Sequence, residues 1–108
     1  GKPIGKNQGL QWYLADMATR TEAAKALILE AAVAADNGQP LSKLAAMCKY
    51  YASENAVWVT NKALQIHGGY GYMRDYPIER MYRDARIVPI YEGTSEVQKM
   101  VIAREVMK

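Results

Sequence analysis

Leu10, Leu14, Met17, Thr21, Ala24, Ile28, Ala31 and Ala35 recur at alternating spacings of four and three. That period puts them on one stripe of a long helix and makes the stripe the seam of an antiparallel bundle or coiled coil. Many of these side chains are small, so a neighbouring helix can approach closely. The helix ends in Asp36-Asn37-Gly38-Gln39-Pro40. Asn37-Gly38 supplies a left-handed cap and Pro40 blocks continuation.

The stop is followed at once by a second helix. Ser42 is its expected N-cap, and Ala45, Cys48, Ala52, Ala56, Val59, Ala63 and Ile66 share one face, flanked by Tyr51 and Trp58. Gly68, Gly69 and Gly71 halt it. So short a link between two long helices makes them antiparallel neighbours. A shorter third helix is expected from Pro77, with Ile78, Met81, Tyr82 and Ala85 facing inward. Residues 86 to 93 are β-branched but contain Pro89, which removes a ladder donor, so an ordered connection is favoured over a strand. A fourth helix opens at Thr94 or Ser95, where Ser95-Glu96-Val97-Gln98 has the pattern of a capping box, and Val97, Met100, Val101 and Met107 are expected to point inward. The fold class predicted is all-α, an up-down four-helix bundle occupying residues 1 to 108 as one domain.

Composition narrows the function classes. The net charge of +3 is mild and both signs are interspersed, which argues against a basic arm for nucleic acid or a polybasic membrane patch. Cys48 is the single cysteine, so no internal disulfide forms. No stretch has the length and apolarity of a membrane span, no secretory leader is visible, and the protein is not expected to be secreted. The chain starts at Gly1 rather than Met, and an excised domain of a larger protein is the favoured explanation.

Two stretches depart from plain helix sequence. In Gln65-Ile66-His67-Gly68-Gly69-Tyr70-Gly71-Tyr72 the bare backbone allows a ligand or another chain to come close. The glycine spacing is wrong for a dinucleotide fingerprint, and a helix stop with a tight turn is the favoured reading. His67 is the only histidine and lacks a Cys or carboxylate cluster, so capping or packing is favoured over metal binding. In Tyr91-Glu92-Gly93-Thr94-Ser95-Glu96 a carboxylate precedes a turn at a helix start. Glu92 is either a surface charge complementing the helix dipole or a general base fixed by its backbone. In Glu79 to Arg86 the residues Arg80, Arg83, Asp84 and Arg86 form either an anion clamp or, more simply, ion pairs along a helix.

Taken together, "LQIHGGYGYMRDYPIERMYRDARIVPIYEGTSEVQKMVIAREVM" strongly resembles the carboxy-terminal signature of the acyl-CoA dehydrogenases, and "QGLQWYLADMATRTEAAKALILEAA" is similar to the first helix of the same domain. The resemblance covers nearly the whole chain. It implies a full-length enzyme with an amino-terminal helical domain and a middle β-domain, neither of them in this sequence. It implies oxidation of an acyl-CoA thioester to the trans-2-enoyl-CoA, with hydride passing to FAD and electrons to an electron-transfer flavoprotein. Glu92 stands at the "YEG" position of the straight-chain members and is the implied α-proton acceptor. Its backbone N–H is the implied donor to the thioester carbonyl.

By the same resemblance Gly93 and Arg104 lie on the substrate side. Thr94, Ser95 and Glu96 match a flavin-contacting stretch, although medium-chain relatives have Gln where this chain has Glu96. Asn7 and Gln8 match another flavin-contacting pair. Gln65, Ile66, His67, Gly68 and Gly69 match a segment that meets the FAD of a neighbouring subunit in a homotetramer. His67 varies in the family and carries no implied chemistry. The implied location is the bacterial or archaeal cytoplasm or the mitochondrial matrix. The isolated domain is expected to lack stable FAD and activity. Two other readings follow from the same residues, a helical interaction module without the chemistry and a related acyl-CoA oxidase.

Overall fold

A computed structural model describes all 108 residues. It contains four α-helices and no strand: α1 Gln8–Asp36, α2 Ser42–His67, α3 Ile78–Ala85 and α4 Ser95–Val106. Short 3-10 turns at Ile4–Lys6 and Gly68–Tyr72 precede α1 and follow α2. The all-α, four-helix expectation is met. Residues 86 to 93 form turns rather than a strand, as the proline implied.

The end of α1 is a Schellman motif. Gly38 takes the left-handed conformation at φ 65°, its N–H donates to the Ala35 carbonyl at 3.0 Å, and the Gln39 N–H donates to Ala34 at 2.9 Å. α1 and α2 then run antiparallel. Lys62 lies 4.9 Å from the Tyr13 ring, Arg20 stacks 4.3 Å over Trp58, and the Cys48 thiol donates to the Leu27 carbonyl at 3.3 Å.

α2 is the axis of the molecule, because α1, α3 and α4 each pack against it and not against one another. Ser95 of α4 bonds Glu54, while Glu105 ten residues later receives Ser42, so α4 also runs antiparallel to α2. α3 lies beyond it, near Leu64 of α2, and the chain leaving α3 reaches Lys49 at Val88. The up-down alternation is thus kept by α1 and α2, whereas α3 and α4 follow one another down the same side of α2.

Several expected core positions lie elsewhere. Leu14 and Ile28 of the α1 seam are 45% and 47% exposed, and Ala35 is exposed too. Tyr13, Leu27 and Ala34 take their places beside Leu10, Met17, Ala24 and Ala31. The reason is that this central row has apolar residues on both flanks, and only the partner decides which flank is covered. On α3, Ile78 and Ala85 are buried but Met81 is half exposed. On α4, Val97 and Met100 face outward, as does Met107 at its C-cap, and the covered face is Ser95, Gln98, Val101, Ile102 and Glu105. Polar residues face inward there because α2 presents Glu54 and Ser42 to them. Ser42 is not the cap of α2 but its first helical residue, with Leu41 ahead of it.

Candidate functional site

The connection between α3 and α4 is built by turns and then by α2. Ile90 and Tyr91 donate to the Ile87 carbonyl at 2.9 and 3.1 Å, which coils the chain after Arg86. The Ser95 N–H reaches back to the Pro89 carbonyl at 3.0 Å and closes the loop. Between these bonds, Glu92 sits at φ 53° and Gly93 at φ 86°. Glu92 is the only non-glycine residue with positive φ. For an L-residue this conformation costs roughly 1–2 kcal/mol, so the loop must be held from outside.

Two side chains hold it. The Lys49 ammonium, half-buried in the first third of α2, donates to the Val88 carbonyl at 2.8 Å and to the Gly93 carbonyl at 2.6 Å. The Gln98 amide donates to the Glu92 and Gly93 carbonyls at 3.3 and 3.4 Å. A Cβ on Gly93 would lie 2.5 Å from the Gln98 Nε2 and would push that amide off its carbonyls, while the φ of 86° itself calls for glycine. The Glu92 carboxylate is exposed, and the N–H of Glu92 donates to no main-chain carbonyl. Sequence reasoning missed Lys49 and Gln98. The available signal was a lone lysine set among Cys48, Tyr50, Tyr51 and Ala52.

Thr94 is the N-cap of α4, its hydroxyl accepting the Val97 N–H at 3.3 Å. The capping pattern therefore starts one residue before Ser95. Hydrogen bonds from its own backbone N–H and then from the Thr94 hydroxyl hold the Glu96 carboxyl below the usual carboxylate range, with Lys99 and Lys49 adding in the same direction. Ser95 is buried, and its hydroxyl donates to Glu54 Oε1 at 2.5 Å. A cleft of about 350 Å³ opens beside these residues, lined by Glu54, Val57, Arg86, Ile90, Thr94 and Glu96 among others. Arg104 lies further along α4 with its side chain two-thirds exposed, 3.8 Å from Glu105.

The remaining predicted residues gather at the other end of the molecule. The antiparallel register of α1 and α2 brings Asn7 and Gln8 level with Gln65, Ile66, His67, Gly68 and Gly69. Asn7 precedes α1, and its side chain makes no capping bond. Gln65 and His67 are exposed, Ile66 is half-buried, and Gly68 is left-handed at φ 61°. His67 Nδ1 lies 2.8 Å from the Ala63 carbonyl and its ring meets Tyr76 edge-on, in keeping with a capping and packing role. From Glu54 to Gln65 is about 16 Å along α2. The chain thus holds two separate clusters, and one small ligand does not touch both.

On the other candidate stretch, Arg83 pairs with Glu79 at 2.8 Å, the i,i+4 arrangement favoured over an anion clamp. No helix is long and apolar enough to cross a membrane.

Known proteins of similar sequence and shape place the chain in a family. A family profile described as "Acyl-CoA dehydrogenase, C-terminal domain" matches residues 1–107. Acryloyl-CoA reductase (NADH) of Anaerotignum propionicum is 69% identical over 108 residues, which is all of this chain and 27% of that protein. The caffeyl-CoA reductase-Etf complex subunit CarC of Acetobacterium woodii is 52% identical over 108 residues, covering 28% of its length. Among solved structures, butyryl-CoA dehydrogenase from Megasphaera elsdenii superposes with a TM-score of 0.96 at 46% identity, over all of this chain and 28% of that one. The chain spans little more than a quarter of the length of these relatives, and it belongs to the acyl-CoA dehydrogenase family.

Proposed function

We propose that the chain is the carboxy-terminal helical domain of an FAD-dependent enzyme that interconverts acyl-CoA and trans-2-enoyl-CoA thioesters, with Glu92 exchanging the α-proton. An amino-terminal helical domain and a middle β-domain complete that enzyme. The observation that carries the reading is the left-handed Glu92, fixed at both carbonyl ends of its loop while its carboxylate and N–H stay free. A surface charge complementing a helix dipole needs no such backbone. A group that must meet one carbon atom does.

Glu92 then has two jobs. Its carboxylate takes the α-proton, and its N–H is available to the thioester carbonyl as charge develops on that oxygen. Removing an α-proton without polarising the carbonyl is slow, so one residue serving both ends must be rigid in side chain and main chain alike. Because proton transfer is reversible, the same carboxylate returns the proton to the α-carbon when the enzyme runs as a reductase. Relatives named as reductases and as dehydrogenases are therefore compatible with one site.

Thr94 and Glu96 border the cleft at the start of α4 and are the residues here that fit flavin, together with Ser95 through its main chain. Bound flavin supplies the two-electron exchange at the β-carbon. Gly93 and Arg104 are assigned to the thioester side. Asn7, Gln8 and the segment Gln65 to Gly69, about 16 Å away along α2, serve the flavin of a second subunit in a homotetramer. An electron-transfer flavoprotein is the proposed redox partner, in line with the Etf complex named for one relative.

The test is Glu92→Gln in the flavin-loaded enzyme. Flavin content should be unchanged, and α-proton exchange with solvent should fall by about 10²–10⁴-fold. Turnover at the parental rate would remove Glu92 from the chemistry and favour a helical module without it.

A further inference from the structure

We infer that Lys49 is a positioning residue for the reaction, a clamp on α2 that sets where the Glu92 carboxylate stands. The inference rests on the assignment of Glu92 above. Lys49 has no carboxylate within ion-pair reach. Its ammonium instead bridges the carbonyls of Val88 and Gly93 at 2.8 and 2.6 Å, the two residues that bracket Pro89, Ile90, Tyr91 and Glu92. A cation held by two carbonyls makes charge-assisted bonds, stronger than those of a neutral donor. The mouth of the loop is thereby tied to the one helix that every other helix packs against.

The geometry explains how Glu92 keeps an unfavourable φ of 53°. Gln98 holds the Glu92 carbonyl, and Lys49 from α2 together with Gln98 from α4 holds the Gly93 carbonyl, so the two peptides that follow Glu92 are restrained in turn. Without Lys49 the Gly93 carbonyl keeps only the longer Gln98 bond, at 3.4 Å. The loop then relaxes toward negative φ, and the carboxylate leaves its station.

Lys49→Met keeps the length of the side chain and removes the donors. In the flavin-loaded enzyme it should lower kcat by about 100-fold, the effect of roughly 1 Å of misplacement, with KM and flavin content unchanged. Lys49→Arg, which still has donors for both carbonyls, should recover most of that loss. A role in stability alone would appear in the melting temperature and leave kcat of the folded enzyme intact. Lys49→Met at parental kcat overturns the inference, and so does a loss confined to KM. If Lys49→Met does not yield flavinated enzyme, Gln98→Met tests the same clamp from α4. It should lower kcat about fivefold, the weight of one ordinary hydrogen bond, and an unchanged kcat overturns the inference. Glu92→Gln separates the two claims. If Glu92→Gln is inactive and Lys49→Met is normal, the clamp alone fails. If Glu92→Gln turns over normally, base and clamp fail together.

Discussion

Glu92 and Gly93 are consecutive residues in the left-handed region, and they respond to substitution in opposite ways. Gly93→Ala adds a Cβ at φ 86° and 2.5 Å from Gln98. It should destabilise the protein by about 1–3 kcal/mol and be read as a lower urea midpoint. Glu92→Gly should raise stability by about 1 kcal/mol, because glycine bears no penalty at φ 53°, while it abolishes proton transfer. A variant more stable and less active than the parent is the mark of strain maintained for chemistry. The sequence announced the turn through Gly93, but not the strain before it. Glutamate is no turn former, and its conformation is held by Gln98 nearby and by Lys49 on α2, at a sequence distance no local pattern reports.

Among the elements, the four helices and their stops were legible because apolar spacing and Gly-Pro punctuation are local signals. The Gly38 cap is the clearest case. Gly38→Ala meets no neighbouring atom, so its effect isolates the left-handed φ and should cost about 1 kcal/mol by urea denaturation. The covered flank of α1 and the polar inner face of α4 were not legible, since each depends on what α2 presents. Three carboxylates on α3 and α4 add an acid dependence to stability. Glu79 is held below the usual range by its bond from Arg83, Glu96 by its own backbone N–H and Thr94, and Glu105 by Lys108. A lowered folded value means that the unfolded chain binds more protons at these sites. Their stabilisation is complete above the ordinary carboxylate range and disappears as pH falls through the folded values. Urea midpoints should therefore drop on acidification below that range, and Glu79→Gln should make the slope shallower.

At the scale of the molecule, the shape is too open for a finished globule. The helices extend over 56 × 25 × 24 Å with a radius of gyration of 16.8 Å, against about 13 Å for a compact chain of this length. The accessible surface is 7810 Å², against roughly 6,000 Å² for a compact monomer of this mass. The surplus is not merely polar. Trp12, Leu14, Ile28, Leu29 and Val33 stand exposed on α1, which packs only on α2 and its own leading turn. Burying such a surface is strongly favourable in water, so the 108-residue chain on its own should sediment heavier than its 12.1 kDa and enhance the fluorescence of a hydrophobic dye. Leu29→Glu and Val33→Glu together should return it to the monomer mass without loss of helical circular dichroism. Because the proposed companion domains supply the rest of the flavin pocket, this self-association should not by itself create flavin absorbance. A yellow, stoichiometrically loaded preparation of these 108 residues would mean that helical surfaces alone complete the cofactor site, and that the proposed companion domains are dispensable for it.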